Sequence, residues 1–149
     1  MTLFEQVTED LKKAMLNKEK DKLEALRALK TGFLLAKADK GADSILTNEE
    51  ELKIVQRLVK QRRDSATEYA TQSRQDLADK ETMEAAVIAA YLPQQLSDAE
   101  LTAEIKAIIA ETGASSAKDM GKVMGVATKK LSGKTDGKAI SEKVKQLLQ

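Results

Sequence analysis

The chain has no cysteine, no histidine and no tryptophan. Disulfides, thiolate nucleophiles, imidazole acid/base chemistry and the commonest zinc ligands are therefore unavailable, which argues against a metalloenzyme or a triad hydrolase. Proline occurs once, at Pro93, and the aromatics are only Phe4, Phe33, Tyr69 and Tyr91. Strands rely on aromatic and β-branched residues in alternation, and no such segment stands out. No apolar run approaches the roughly 20 residues that span a bilayer, so no membrane association is expected. The start, MTLFEQVTED, lacks a basic region followed by a long apolar one, and the expectation is a soluble, cytoplasmic protein. The formal charge is only +1. Attraction to a polyanion must then come from a local patch rather than from the chain as a whole.

What is present is helix-forming sequence in 149 residues, 42% of them hydrophobic, enough for one ordinary domain or two small ones. Leu3, Val7, Leu11 and Met15 recur at four-residue spacing, and Thr2 with Glu5 fits a capping box, which predicts a first helix over about 3–17. Leu23, Leu26, Leu29, Phe33 and Leu34 line a second helix that ends before Gly41. Thr47 with Glu50 caps a long third helix carrying Leu52, Val55, Val59, Ala66 and Tyr69. On it Arg57, Lys60, Arg62 and Arg63 read as an exposed face pairing with acidic neighbours at helical spacing. A fourth helix holds Leu77, Glu84, Val87, Ile88 and Tyr91. Pro93 then pushes Leu92 out of helical geometry and marks a joint.

Beyond the joint, Ser97 with Glu100 opens a helix bearing Leu101, Ile105, Ile108 and Ile109, terminated at Gly113. Ser116 caps a helix with Met120, Val123, Met124 and Ala127, and Asp136 opens a last one with Ile140, Val144, Leu147 and Leu148. The fold class expected is all-α, in two small lobes, 1–92 with four helices and 97–149 with three.

Three apparent catalytic motifs fail on their chemistry. Gly133-Lys134-Thr135 imitates the end of a phosphate-binding loop, but Thr128 stands where the earlier glycine belongs and no strand precedes it. Ser115 and Lys118 match S-x-x-K without its companion motifs, leaving these serines as caps. Glu49, Glu50 and Glu51 sit at a helix start, where the dipole favours negative charge, and need no acid/base role. No catalytic, cofactor-binding or metal-ligating residue is assigned.

The segment 118–141 concentrates glycine and lysine. Lys118, Lys122, Lys129, Lys130, Lys134 and Lys138 face only Asp119 and Asp136, so the basic surplus of the chain is local to this stretch. Gly121 and Gly125, four apart on one helix face, read as close-packing positions; Gly133 and Gly137 read as shaping the turn into the last helix. Exposed lysines beside backbone amides suit phosphates, and the absence of an aromatic there argues against base stacking. The six lysines are thus candidate nucleic-acid contacts and the four glycines backbone-shaping residues.

YLPQQLS at 91–97, DMGKVMG at 119–125 and GKTDGK at 133–138, followed by an amphipathic terminal helix, together resemble the GatB/YqeY family over essentially the whole chain. The likeness is to its small stand-alone YqeY-like members. More distantly, the second lobe is similar to the tail of the B subunit of the glutamine-dependent aspartyl/glutamyl-tRNA amidotransferase. That resemblance implies a helical tail-like domain over 97–149 that helps hold tRNA, and no cofactor is expected. It maps the tail pattern onto Gly121, Val123, Met124, Thr128, Gly133 and Lys134, with Asp136-Gly137 where the tail has Asn-Pro. It also implies association with carbon-nitrogen ligase activity using glutamine as amido-N-donor, although no counterpart of the catalytic domains is present. The function expected is a non-catalytic accessory binding tRNA or another structured RNA. The alternative is a docking module for an amidotransferase, a synthetase or another protein partner, with Met120 and Met124 as an adaptable apolar surface.

Overall fold

The computed structural model describes all residues, Met1–Gln149. Seven α-helices and no strand are present: α1 (Leu3–Leu16), α2 (Lys20–Lys40), α3 (Asn48–Thr71), α4 (Gln75–Ala89), α5 (Asp98–Thr112), α6 (Met120–Lys130) and α7 (Gly137–Leu147), with a single 3-10 turn at Ala117–Asp119. No helix is long and apolar enough to cross a membrane. The chain divides into two compact units, Met1–Leu92 and Pro93–Gln149.

The helix starts follow from local chemistry. Thr2, Thr47 and Ser97 each accept a hydrogen bond from the amide three residues on, and Glu5, Glu50 and Glu100 reach back to the cap amides. The Thr47 and Ser97 amides hold the Glu50 and Glu100 carboxyls below the usual carboxylate range, with Lys40 and the Ser97 hydroxyl respectively adding to the effect. Each such cap contributes about 1 kcal/mol.

In the first unit, α1 to α4 enclose Val7, Ala25, Leu29, Phe33, Leu46, Ile54, Val55, Val59 and Ile88. Phe4 meets Phe33 edge to face at 6.2 Å. The predicted stripe of α1 drifts, because four-residue spacing advances about 40° per step on a helix of 3.6 residues per turn. By Met15 the side chain has rotated into solvent, 54% exposed, and Ala14 is buried instead. Leu34 likewise lies off the buried stripe of α2 and is exposed. The two shortest reversals use left-handed residues other than glycine, Lys18 and Ser73.

Two carboxylates are drawn into this unit. Glu51 is buried and accepts from the amides of Phe4 at 2.8 Å and Leu3 at 3.4 Å, so a residue of α3 satisfies the open first turn of α1. Arg62 is not on an exposed face: its side chain turns inward to Glu84 of α4, 3.3 Å away, while Lys60 does pair with Asp64 one turn on. The difference arises because α3 packs along α4, and a long guanidinium reaches the acid that this packing buries.

Replacing Glu51 with alanine strands two amides at the start of α1. A cost of about 1–3 kcal/mol is expected. All four aromatics lie before Pro93, so tyrosine fluorescence during urea unfolding reports this unit alone. An unchanged midpoint for Glu51→Ala would show that water replaces the carboxylate without cost.

In the second unit α5, α6 and α7 pack pairwise around Leu101, Ile105, Ile108, Val123, Ala127, Leu131, Ile140, Val144 and Leu148. Met120 and Met124 are half-buried against this core. They are packing residues rather than a free apolar surface.

Candidate nucleic-acid interface

The start of α6 is set by a short polar knot. Ser116 caps the 3-10 turn, and Asp119 accepts from the amides of Ser115 at 2.9 Å and Ser116 at 3.3 Å. Those amides hold the Asp119 carboxyl below the usual range, and the Lys122 charge adds to the effect. From there α6 buries Val123 and Ala127. The helical period then places Gly121, Lys122, Gly125, Val126, Lys129 and Lys130 on the other side. These six residues line a shallow, open depression on the surface of the helix.

Gly121 and Gly125 do not pack closely within the fold. A Cβ built at either position meets no side chain beyond its chain neighbours and no other element within 4 Å, and both residues are exposed. Their spacing correctly puts them on one face, but that face looks outward. Each glycine inside a helix costs roughly 0.5–1 kcal/mol against alanine, and nothing in the fold offsets it here. The glycine that does pack tightly is Gly32 in α2, where an added Cβ would lie 3.2 Å from Ile54 and from Leu58.

All six predicted lysines are exposed. The structure brings Lys122, Lys129 and Lys130 together around the depression. Lys118 stands before them in the 3-10 turn, Lys134 lies in the loop after α6 and Lys138 in the first turn of α7. Of the six, only Lys130 is ion-paired, with Glu111 at 3.6 Å. Both aspartates of the stretch are spent on helix starts, since Asp136 accepts from the Ala139 amide at 2.7 Å.

The loop between α6 and α7 is held by the segment after Pro93. Gly133 is left-handed, with φ 77°, and buried, as a turn requires. The side-chain amide of Gln95 donates to the Gly133 carbonyl at 2.7 Å and to the Pro93 carbonyl at 2.9 Å, and the Leu96 amide donates to the Lys134 carbonyl at 2.9 Å. Gly137, by contrast, does not shape the turn. It is the first residue of α7, directly after the Asp136 cap.

Two participants escape a sequence reading. Val126 is 37% exposed among the lysines; its place on the helical wheel, about 80° from the middle of the buried Val123–Ala127 stripe, is the signal that finds it. Gln95 carries no motif, and only the tertiary fold reveals its two carbonyl partners.

A family model described as Yqey-like protein matches residues 4–148. The chain is also 37% identical over 83 residues to Altered inheritance of mitochondria protein 41, mitochondrial, of Clavispora lusitaniae. That match covers 56% of this chain and 47% of the relative, about half its length.

Proposed function

The chain belongs to the Yqey-like protein family, and from that premise and the outer face of α6 we propose that it binds tRNA or a similarly folded RNA. The observation that carries the reading is Lys122, Lys129 and Lys130 set around bare helix backbone that the fold leaves uncovered. Ammonium groups supply charge to phosphates, and a glycine-bearing surface lets a sugar-phosphate strand approach the helix closely. In this reading the protein is an accessory to amide transfer from glutamine. In this reading the carbon-nitrogen bond is made by a partner enzyme, and no residue of this chain is assigned a catalytic role. The same reading places the chain in the cytoplasm; the name of the Clavispora relative places that protein in mitochondria.

The direct test is titration of labelled tRNA at several salt concentrations. Each neutralised phosphate contributes about −0.9 to the slope of log affinity against log salt, so three lysines give a slope close to −3. Absence of binding even at the lowest salt removes the proposal.

A further inference from the structure

The second unit contains no aromatic residue, because Phe4, Phe33, Tyr69 and Tyr91 all precede Pro93. Proteins that hold single-stranded RNA without sequence preference stack its bases on aromatic rings. This unit has no ring to offer. It presents instead a rod of 11 residues, about 16 Å long, with ammonium groups beside exposed main chain. Lys122 and Lys129 are separated by about 10 Å along the helix axis and bracket Gly125 and Val126.

Exposed main chain has a chemistry of its own. Glycine leaves the surrounding backbone open to outside partners, and with no non-neighbouring side chain or other element within 4 Å of a Cβ at 121 or 125 the rest of the fold does not cover that opening. A ribose 2′-hydroxyl is a donor that a backbone carbonyl can accept from. Double-helical A-form RNA displays these hydroxyls across a wide, shallow minor groove, with phosphates along both rims. The deep major groove of A-form RNA admits no helix, and a DNA duplex lacks the hydroxyl.

We propose that the depression on α6 docks the minor groove of double-helical RNA, its lysines on the rim phosphates and its glycine strip against the 2′-hydroxyls. This rests on the RNA-binding reading above and narrows it to duplex RNA, selected over single strands and over DNA. Charge favours this occupant, since Lys122 and Lys129 have no ion-pair partner, only Lys130 is paired, with Glu111, and the Asp119 carboxylate accepts from the Ser115 and Ser116 amides. Val126 lies against the sugar edge.

The test uses the full chain with a short RNA duplex, one of its strands alone, and the DNA duplex of the same sequence, followed by fluorescence anisotropy at low salt. The RNA duplex is expected to bind about tenfold more tightly than either competitor, the worth of one or two hydroxyl contacts. Gly125→Leu fills the strip while keeping every lysine. It lowers duplex affinity by about tenfold with the salt slope unchanged, because the phosphate contacts remain. The double variant Gly121→Ala, Gly125→Ala favours the helix and weakens binding by about threefold, which keeps the test open if the leucine variant does not fold. Equal or tighter binding of the single strand, equal binding of the DNA duplex, or wild-type affinity in both glycine variants overturns the proposal. Failure of all three nucleic acids to bind overturns the RNA-binding reading itself.

Discussion

Reversing Lys122, Lys129 and Lys130 to glutamate is expected to lower tRNA affinity by at least about 100-fold, with the salt dependence falling almost to zero. Each ammonium near a phosphate is worth about 1 kcal/mol at 4 Å in bulk water, and reversal turns that attraction into a comparable repulsion. Three sites therefore change the binding free energy by up to about 6 kcal/mol before screening, and 100-fold requires less than half of that. Structural damage is the smaller effect. Losing the exposed Lys130–Glu111 pair costs about 0–1 kcal/mol, and acids in the last turn of α6, where Lys129 and Lys130 now complement the dipole, cost about 0.3–1 kcal/mol each. Far-UV circular dichroism checks that the helices persist. The control is Lys12, Arg27 and Arg57, all exposed in the first unit, reversed together. That control makes the same change in net charge. If it weakens binding as much, attraction is diffuse and the α6 face is not the contact; if neither variant weakens it, the lysines do not touch the RNA.

How much of this was legible before folding depended on the range of the interaction. Thr2 with Glu5, Thr47 with Glu50 and Ser97 with Glu100 could be read because each cap is completed within one turn. Periodicity gave the helices but overran their faces, at Met15 because a four-residue step accumulates angular drift and at Leu34 because it is one residue, about 100°, past the buried Phe33. Gly133 was readable as a turn, and its φ of 77° fits that role. The reversals at Lys18 and Ser73 carried no glycine to announce them. Glu51 and Glu84 were illegible for a different reason: their partners, Phe4 and Arg62, are 47 and 22 residues away. For the α6 face, spacing established that Gly121 and Gly125 look the same way. Only the packing of α5 and α7 established that this way is outward.

The Arg62–Glu84 pair sets up the largest stability effect. The side chains are 16% and 10% exposed, so removing the guanidinium leaves a carboxylate with little access to water, and the loss of one partner of a buried pair costs about 3–5 kcal/mol. Access here is not zero, which places Arg62→Met at about 3 kcal/mol near neutral pH. Burial already holds the Glu84 carboxyl above the usual carboxylate range, against the downward pull of Arg62 and with Glu81 and Glu24 adding to the rise. The folded state therefore binds a proton more readily than the unfolded chain does. Stability linked to Glu84 is fully present below the unfolded carboxylate pKa of about 4.3 and is lost as pH rises through the higher folded value. Without Arg62 that folded value climbs further. The deficit of the variant is thus greatest at neutral pH and shrinks on acidification, because a protonated Glu84 no longer needs the cation. What persists in acid is the lost contact from Arg62 to the Leu58 carbonyl, 3.3 Å in the native protein, worth about 1 kcal/mol. Adding Glu84→Leu to Arg62→Met is expected to recover most of the loss, since an apolar pair of similar volume often matches a buried ion pair in stability. Tyrosine-monitored urea unfolding at a series of pH values measures all three forms on the first unit alone. A deficit that stays constant with pH would mean that the Glu84 charge is not its source, and the cost would then belong to lost packing of the arginine stem.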